Sequence, residues 1–454
     1  MQSRRRFISQ AAMGGAIALA SNKPIKAAAN PLDVVVVGGG LAGLSAASQL
    51  TAQGHQVVVL EARARLGGRI QTDRSFAMPM DLGASWIHGP SARNPLVGLA
   101  ARAGLTTAVT PDDLVQLYAI NGTAVPNSIS DPLETRYDQL SNKVRGTASK
   151  LGKDISFQQA LTSQSSTLLN DPIMRYFGAA WTEFDTGAPL NELSALQGME
   201  DEAFGGTDVI ATNGYDRILT PLMNGFEVRT GTPVEAIQQS ATDVTVRYTG
   251  GTIKADAVVV TATLGVLKAG AISFTPALSA TKLAALGRIG FGTINKVILE
   301  FDRATWPSGM QYYGFCRAAG QSGRACYAMN VKKLNNQSNV LVLIYTGAEA
   351  LRLETLTQAQ AVQEALAGIR PILGATPPQL KSSRITRWKN EIYTRGSYSF
   401  AAVGTKASDF DTLARPQGRL YFAGEHTNGM YRGTVHGAYL SGQRAATELM
   451  TALA

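Results

Sequence analysis

The stretch DVVVVGGGLAG, residues 33–43, decides the fold of this chain. Its valine run predicts a buried parallel strand, and its glycines follow the spacing G-x-G-x-x-G at Gly38, Gly40 and Gly43. A helix is predicted over residues 42–50, then a second strand over residues 57–60 that ends at Glu61. This order is typical of a dinucleotide-binding βαβ unit, in which backbone N–H groups reach a pyrophosphate and the acid binds ribose hydroxyls.

The composition indicates a large folded chain with no bias toward nucleic acid. Of 454 residues, 45% are hydrophobic and 17% charged, enough for two or three domains. The net charge is +9, but residues 1–29 carry five basic residues and no acid, so the remainder has 37 basic against 33 acidic residues, or +4. No basic stripe appears, which disfavours nucleic-acid binding, and four histidines disfavour a His-rich metal site.

The N-terminus predicts an export signal over residues 1–29. A basic cluster at Arg4, Arg5 and Arg6 precedes an apolar run over 11–20 and small residues at 27–29. The arginines followed by an aromatic residue resemble a twin-arginine signal, which predicts a periplasmic or secreted protein. The alternatives are an ordinary secretory signal or an uncleaved anchor. No later stretch is long and apolar enough to span a bilayer.

Two cysteines, Cys316 and Cys326, have neither metal-ligand nor redox-motif spacing. Two interpretations stay open: a disulfide across a hairpin in an exported protein, or two small buried apolar side chains.

The segment EARARLGGR, residues 61–69, favours an FAD-binding site over an NAD-binding site. Arg63, Gly68 and Arg69 follow the ribose acid directly, where they can hold a pyrophosphate and let a flavin ring approach the backbone. This segment resembles the second fingerprint of the flavin-containing amine oxidase family. DLGASWIHG at 81–89, GEHT at 424–427 and VHGAYLSG at 435–442 are also similar to that family, and within it to the polyamine oxidases.

The resemblance implies non-covalent FAD and assigns it further contacts. The segment 81–89 is expected under the flavin, and a helix that opens after residue 434 directs its positive dipole end at the flavin ring. The implied FAD contacts outside the fingerprints are Gly83, Ala84, Ser85, Trp86, Val234, Trp388, Gly424, Glu425 and Val435. Ser397 stands where some family members have a cysteine linked to FAD, and serine does not form that thioether.

Four residues are implied in catalysis by the resemblance. Lys296 aligns with the family lysine that holds a water near flavin N5; it is also a charge inside a run of Val, Ile and Leu. His88 matches the position that meets a substrate amine. Tyr398 and Thr434 occupy the two places where monoamine oxidases have tyrosines, which disfavours a monoamine oxidase.

The predicted fold class is α/β: a Rossmann-like FAD-binding domain of the GR2 type with a discontinuous α+β substrate-binding domain, the amine oxidase architecture. The FAD domain is expected at 30–115, 210–290 and 395–454. The substrate domain is expected at 116–209, mainly helical, and at 291–394, which begins with strands.

The predicted function is FAD-dependent oxidation of a C–N bond of a polyamine such as spermine or spermidine. Hydride transfer to flavin N5, imine hydrolysis and reoxidation by O2 with release of H2O2 would complete the reaction. Acids that are candidates for binding further ammonium groups are Glu183, Asp185, Glu200, Asp201 and Glu202.

Two other functions stay open at this point. One is an L-amino-acid or alkaloid-type amine oxidase or dehydrogenase of the same fold. An amino-acid oxidase needs an arginine that binds the substrate carboxylate, and Arg395 and Arg432 are candidates. A non-catalytic flavoprotein is the third possibility; Lys296, Tyr398 and His88 together disfavour it.

Overall fold

The structure, a computed structural model, describes residues 30–453, so the signal predicted for residues 1–29 lies outside the described residues. Its strands are β1 (Asp33–Val37), β2 (Gln56–Glu61), β3 (Thr72–Asp73), β4 (Met80–Asp81), β5 (Trp86–Ile87), β6 (Thr107–Val109), β7 (Val115–Tyr118), β8 (Val209–Ala211), β9 (Glu227–Thr230), β10 (Val234–Gln239), β11 (Val244–Tyr248), β12 (Gly251–Ala255), β13 (Ala257–Val260), β14 (Ser273–Thr275), β15 (Gly290–Phe291), β16 (Asn295–Phe301), β17 (Tyr312–Phe315), β18 (Tyr327–Asn330), β19 (Val340–Tyr345), β20 (Leu380–Ile385), β21 (Ser399–Phe400) and β22 (Leu420–Phe422). Its helices are α1 (Leu41–Ala52), α2 (Pro95–Arg102), α3 (Asn127–Ser141), α4 (Val144–Lys150), α5 (Phe157–Gln164), α6 (Pro172–Phe177), α7 (Phe184–Thr186), α8 (Leu264–Lys268), α9 (Ala280–Arg288), α10 (Lys332–Asn335), α11 (Gly347–Leu353), α12 (Gln358–Gly368), α13 (Asp409–Ala414) and α14 (Val435–Leu453).

A five-stranded parallel sheet forms around the valine run. Its order is β22-β13-β1-β2-β9, and each neighbouring pair is parallel. Val35 and Val36 in β1 are at most 1% exposed, because a central parallel strand is covered on both faces. The strands come from both ends and the middle of the chain, so the sheet is discontinuous in sequence. The residue bounds predicted for the two domains stay a prediction.

Helices α1 and α14 cross on one face of this sheet. A side chain at Gly442 would overlap the carbonyl oxygen of Ala42, so glycine permits the close approach. The Ser45 hydroxyl donates to the carbonyl of Tyr439 at 2.9 Å across the same contact. The other face packs on the sheet β12-β11-β10-β14 and on helices α8 and α9. The N-terminal and C-terminal segments are thereby packed together.

A second large sheet has the order β20-β16-β19-β18-β17-β7. One of its faces packs on the helices between residues 127 and 186, and the other on α11 and α12. Strand β16, which pairs antiparallel with both β19 and β20, carries Lys296. The sheet predicted for the segment after residue 291 therefore exists, and its first long strand carries the predicted catalytic lysine.

Two local features complete the fold. Residues Tyr215–Leu222 form a 3₁₀ helix, which begins after Gly214 at φ 97° and contains Pro221. Cys316 and Cys326 are both free and buried, and burial raises the pKa of each thiol to about 12. Within residues 30–453 no helix is long and apolar enough to cross a membrane.

Candidate active site

A cavity of about 560 Å³ lies between the two large sheets, and the predicted site residues converge on it. Every residue predicted for catalysis or for FAD binding lines this cavity except Gly43. Gly43 lies one turn into α1, where a side chain would overlap the carbonyl oxygen of Gly38. It therefore permits the tight turn and need not face the ligand. The structure brings these residues together; their individual roles stay predictions.

The glycine turn after β1 is shaped for close approach by a ligand. Gly38 has φ 107°, a conformation that L side chains rarely adopt. A Cβ on Gly40 would meet nothing within 4 Å, so this backbone borders open cavity. Thr261, at the end of β13, donates its hydroxyl to the carbonyl of Val37 at 2.8 Å and holds the turn in place.

Glu61 and Arg63 stand beside this turn. The Glu61 carboxylate accepts from the backbone N–H of Gly39 at 2.7 Å and of Arg63 at 2.9 Å, which joins the end of β2 to the glycine turn. The Nε and Nη2 atoms of Arg63 are buried and have no hydrogen-bond partner, with Glu391 3.5 Å away as an ion-pair partner. Buried donors of this kind are costly unless a ligand satisfies them. The open backbone and the unsatisfied guanidinium together fit the anionic pyrophosphate of FAD.

Glu425 anchors the C-terminal segment of the cavity. Its carboxylate accepts from Arg69 at 2.8 Å, from the Ser399 hydroxyl at 2.6 Å and from the backbone N–H of Gly433 at 2.9 Å. Burial by itself would raise the pKa of Glu425, but the Arg69 charge and these donors keep it below its usual value. Glu425, a predicted FAD contact, is therefore ionised and holds residues 69, 399 and 433 together in the cavity wall.

Lys296 projects from β16 into the segment predicted under the flavin. Its Nζ donates to the carbonyl of Asp81 at 2.8 Å, the carbonyl of Gly83 at 2.7 Å and the Ser85 hydroxyl at 2.6 Å. Burial lowers the pKa of Lys296 and raises the pKa of Asp81, and the charge of each opposes the shift of the other. Three acceptors satisfy all three ammonium donors, so the lysine is well held and adjoins the cavity.

His88 is oriented by Asp208, a residue that the sequence did not single out. The His88 Nδ1 atom lies 2.5 Å from the Asp208 carboxylate, whose other oxygen accepts from the backbone N–H of Gly89 at 2.9 Å. The imidazole stacks on Trp86 with ring centroids 6.5 Å apart. Because the carboxylate engages Nδ1, Nε2 is the nitrogen left for a ligand.

Tyr398 and Thr434 lie side by side in the cavity wall. The Tyr398 hydroxyl donates to the carbonyl of Phe184, and its ring packs on Gly433. Thr434 donates its hydroxyl to the carbonyl of Tyr431 at 2.7 Å and accepts from the N–H of Gly437 at 2.9 Å, so it caps α14. The first turn of α14 therefore borders the cavity, as the sequence predicted.

Among the five candidate acids, Asp185 lines the cavity and the other four do not. Asp185 directly follows Phe184, whose ring packs edge-on against Trp86 at 6.0 Å. Glu183 is held by Thr346 and the N–H of Leu190, Glu200 pairs with Arg145, and Asp201 pairs with Arg432.

The two candidate arginines differ in their position relative to the cavity. Arg432 donates to the carbonyls of Gln197 and Gly198 at 2.8 and 3.1 Å and does not line the cavity. Arg395 does line it.

Comparisons with known proteins agree with this geometry. A family model described as flavin containing amine oxidoreductase matches residues 41–450. Polyamine oxidase 2 of Arabidopsis thaliana is 32% identical over 435 residues, covering 91% of this chain and 87% of the relative. Lysine-specific histone demethylase 1 homolog 3 of the same plant is 31% identical, but the match spans 30% of that longer protein. A solved putrescine oxidase bound to putrescine shares the fold, with a TM-score of 0.77 at 20% identity, covering 93% of this chain and 99% of that one.

Proposed function

Because the chain belongs to the family of flavin-containing amine oxidoreductases, we propose that it oxidises a C–N bond of a polyamine similar to spermine or spermidine. As a member of this family the protein is an FAD-dependent amine oxidase. The proposal of a polyamine rests on one observation: a histidine oriented by a carboxylate, His88, and a separate acid, Asp185, line the same cavity. A substrate with more than one amine matches two such groups.

His88 suits the reacting amine. With Nδ1–H donated to Asp208, its Nε2 lone pair accepts an N–H of the neutral substrate amine, or takes the proton of an incoming ammonium and leaves the amine neutral. The amine must be neutral, since an ammonium has no lone pair to support loss of hydride from the neighbouring carbon. FAD, when bound, supplies the hydride acceptor. Trp86, stacked on His88, and Tyr398 form apolar walls that position the carbon chain.

Asp185 suits a second, protonated amine. A carboxylate attracts an ammonium more strongly in a partly enclosed cavity than in water. Of the other carboxylates in the wall, Glu61 holds the glycine turn, Glu425 holds Arg69 and Glu235 pairs with Arg247.

An amino-acid substrate has one remaining candidate partner in the cavity wall, Arg395. Its carboxylate needs an arginine at the substrate end. The Arg432 guanidinium is 7% exposed and donates to backbone carbonyls instead.

We further propose how the cofactor is held and reoxidised. The Ser397 hydroxyl accepts from the N–H of Ile294 at 2.9 Å and donates to its carbonyl at 3.0 Å, which supports FAD bound without a covalent link. O2 is the proposed electron acceptor, with H2O2 as product.

We also propose that residues 1–29 direct export of the protein. Cell fractionation tests this proposal by comparing the full chain with a variant that carries both Arg4→Lys and Arg5→Lys.

Anaerobic bleaching of the flavin absorbance tests the substrate. The panel is spermine, spermidine, putrescine, a simple monoamine, an L-amino acid and an N-methylated lysine peptide, the last because one relative is named a histone demethylase. We expect spermine or spermidine to bleach the flavin fastest. Faster bleaching by any of the other compounds overturns the polyamine assignment and leaves the fold intact. The same panel in air, followed by H2O2 release, distinguishes O2 from another acceptor.

A further inference from the structure

Arg395 has a backbone conformation that is unusual for its side chain. Its φ is 55°, and within residues 30–453 the other non-glycine residues with positive φ are Ala325 and Asn336. Left-handed backbone strains any residue that has a Cβ, and such strain concentrates at functional sites.

The turn explains the backbone conformation but not the choice of arginine. The N–H of Arg395 donates to the carbonyl of Glu391 at 2.7 Å, and the N–H of Gly396 donates to the carbonyl of Trp388 at 2.8 Å. A left-handed residue ends such a turn, and glycine does so without strain. The guanidinium must therefore contribute something that glycine lacks.

The Arg395 side chain lies at the cofactor end of the cavity. A Cβ on Gly265, in α8, would come within 2.8 Å of the Arg395 Cβ. Thr263, which caps α8, donates to the carbonyl of Thr394 at 2.8 Å. Two residues earlier, Thr261 donates to the carbonyl of Gly38 at 3.1 Å. Arg395 is thus part of the wall that continues into the glycine turn.

Two arginines with buried, unsatisfied donor atoms border this part of the cavity. The Nε of Arg395 has no hydrogen-bond partner, and neither do Nε and Nη2 of Arg63. Both arginines contact Glu391, Arg63 through an ion pair at 3.5 Å and Arg395 through the backbone. The ion pair with Glu391 involves the Arg63 guanidinium, whereas Arg395 contacts the backbone of Glu391, so the buried Nε of Arg395 is a donor suited to an anionic ligand.

We propose that Arg395 binds the pyrophosphate of FAD, opposite Arg63 and beside the glycine turn, and does not bind a substrate carboxylate. The pyrophosphate carries two negative charges, and a guanidinium matches phosphate oxygens with paired N–H donors. The strained backbone is retained because it directs the side chain into the cofactor wall.

Release of FAD from the holoenzyme tests the proposal without any substrate. Three variants separate the contributions: Arg395→Met keeps the Cβ and stem but removes the charge, Arg395→Lys keeps the charge, and Arg395→Gly removes both side chain and strain. Flavin fluorescence after dilution measures the release rate. We expect Arg395→Met and Arg395→Gly to release FAD about 10- to 100-fold faster, the usual effect of losing a charge-assisted hydrogen bond, and Arg395→Lys to be intermediate.

The control is Asn336→Gly, which relieves the same strain at the end of α10, away from the cavity. It should release FAD at the wild-type rate. A wild-type release rate for Arg395→Met overturns the proposal. So does a variant that keeps FAD but has a raised KM for an amino-acid substrate, since that places the guanidinium at the substrate. The FAD release rate is measured without substrate, so it does not depend on whether polyamines are the substrate.

Discussion

Asp185→Asn should selectively impair oxidation of substrates with two or more amines. Asparagine keeps the size of the side chain and removes its charge. The backbone should hold, because the Phe184 carbonyl accepts from Tyr398 and a side chain at the neighbouring Gly187 would overlap the Tyr398 ring. The change therefore removes the charge of Asp185 while the surrounding backbone is kept.

The expected free energy of the ion pair between Asp185 and a substrate ammonium follows from the partly enclosed position of Asp185. An ion pair 4 Å apart contributes about 1 kcal/mol in water and about 4 kcal/mol at the effective dielectric constant of a protein surface site. Asp185 is partly exposed, so a value between these, about 1.5–3 kcal/mol, applies. This corresponds to a loss of about 10- to 100-fold in kcat/KM for a polyamine.

The assay is the anaerobic rate of flavin reduction against spermidine and against a monoamine of similar chain length. Spermidine should lose its advantage, with most of the loss in binding, while the monoamine rate should hardly change. Glu200→Gln is the matched control, since Glu200 pairs with Arg145 outside the cavity. Equal losses on both substrates, or no loss on spermidine, would refute the reasoning about Asp185.

Three further predictions concern the cofactor and stability. Lys296→Met should keep bound FAD but slow one flavin half-reaction in stopped-flow absorbance, because its Nζ holds the segment beside the cavity; wild-type rates in both half-reactions contradict this. Acid precipitation should release the flavin into the supernatant, because Ser397 forms no thioether; yellow colour in the pellet contradicts non-covalent binding. Burial lowers the pKa of His426 to about 4 from 6.5, so the unfolded chain binds a proton that the native chain does not, and the free energy of unfolding should fall by about 1.6 kcal/mol from pH 6.5 to pH 5. His426→Asn should remove that part of the pH dependence in urea unfolding, and an unchanged dependence assigns it to other groups.

The local parts of the site were predictable from the sequence. The strand, glycine turn, helix and acid between residues 33 and 61 depend on neighbouring residues, so their spacing predicts them. Lys296 was recognisable as a charge in an apolar strand. Its three acceptors lie more than 200 residues earlier in the chain, and no spacing rule predicts such contacts.

Other parts of the site could be recognised only in the folded structure. Asp208 lies 120 residues from His88 and meets it because β5 pairs with β8, two short strands with no marked sequence signal. The positive φ of Arg395 was not predictable from the sequence either, since arginine is not a residue type that indicates a left-handed turn. The resemblance identified residues predicted to contact the cofactor, whereas the residues that orient them emerged from packing.

The contact between α1 and α14 has a consequence for the order of events in biosynthesis. Gly442 packs on Ala42, and Glu425 holds Arg69, so the last 35 or so residues complete a site begun by the first strand. A growing chain has no closed cavity until α14 has left the ribosome. FAD must then be captured after α14 has been made, and a chain that lacks this helix should accumulate without flavin however well its earlier segments fold.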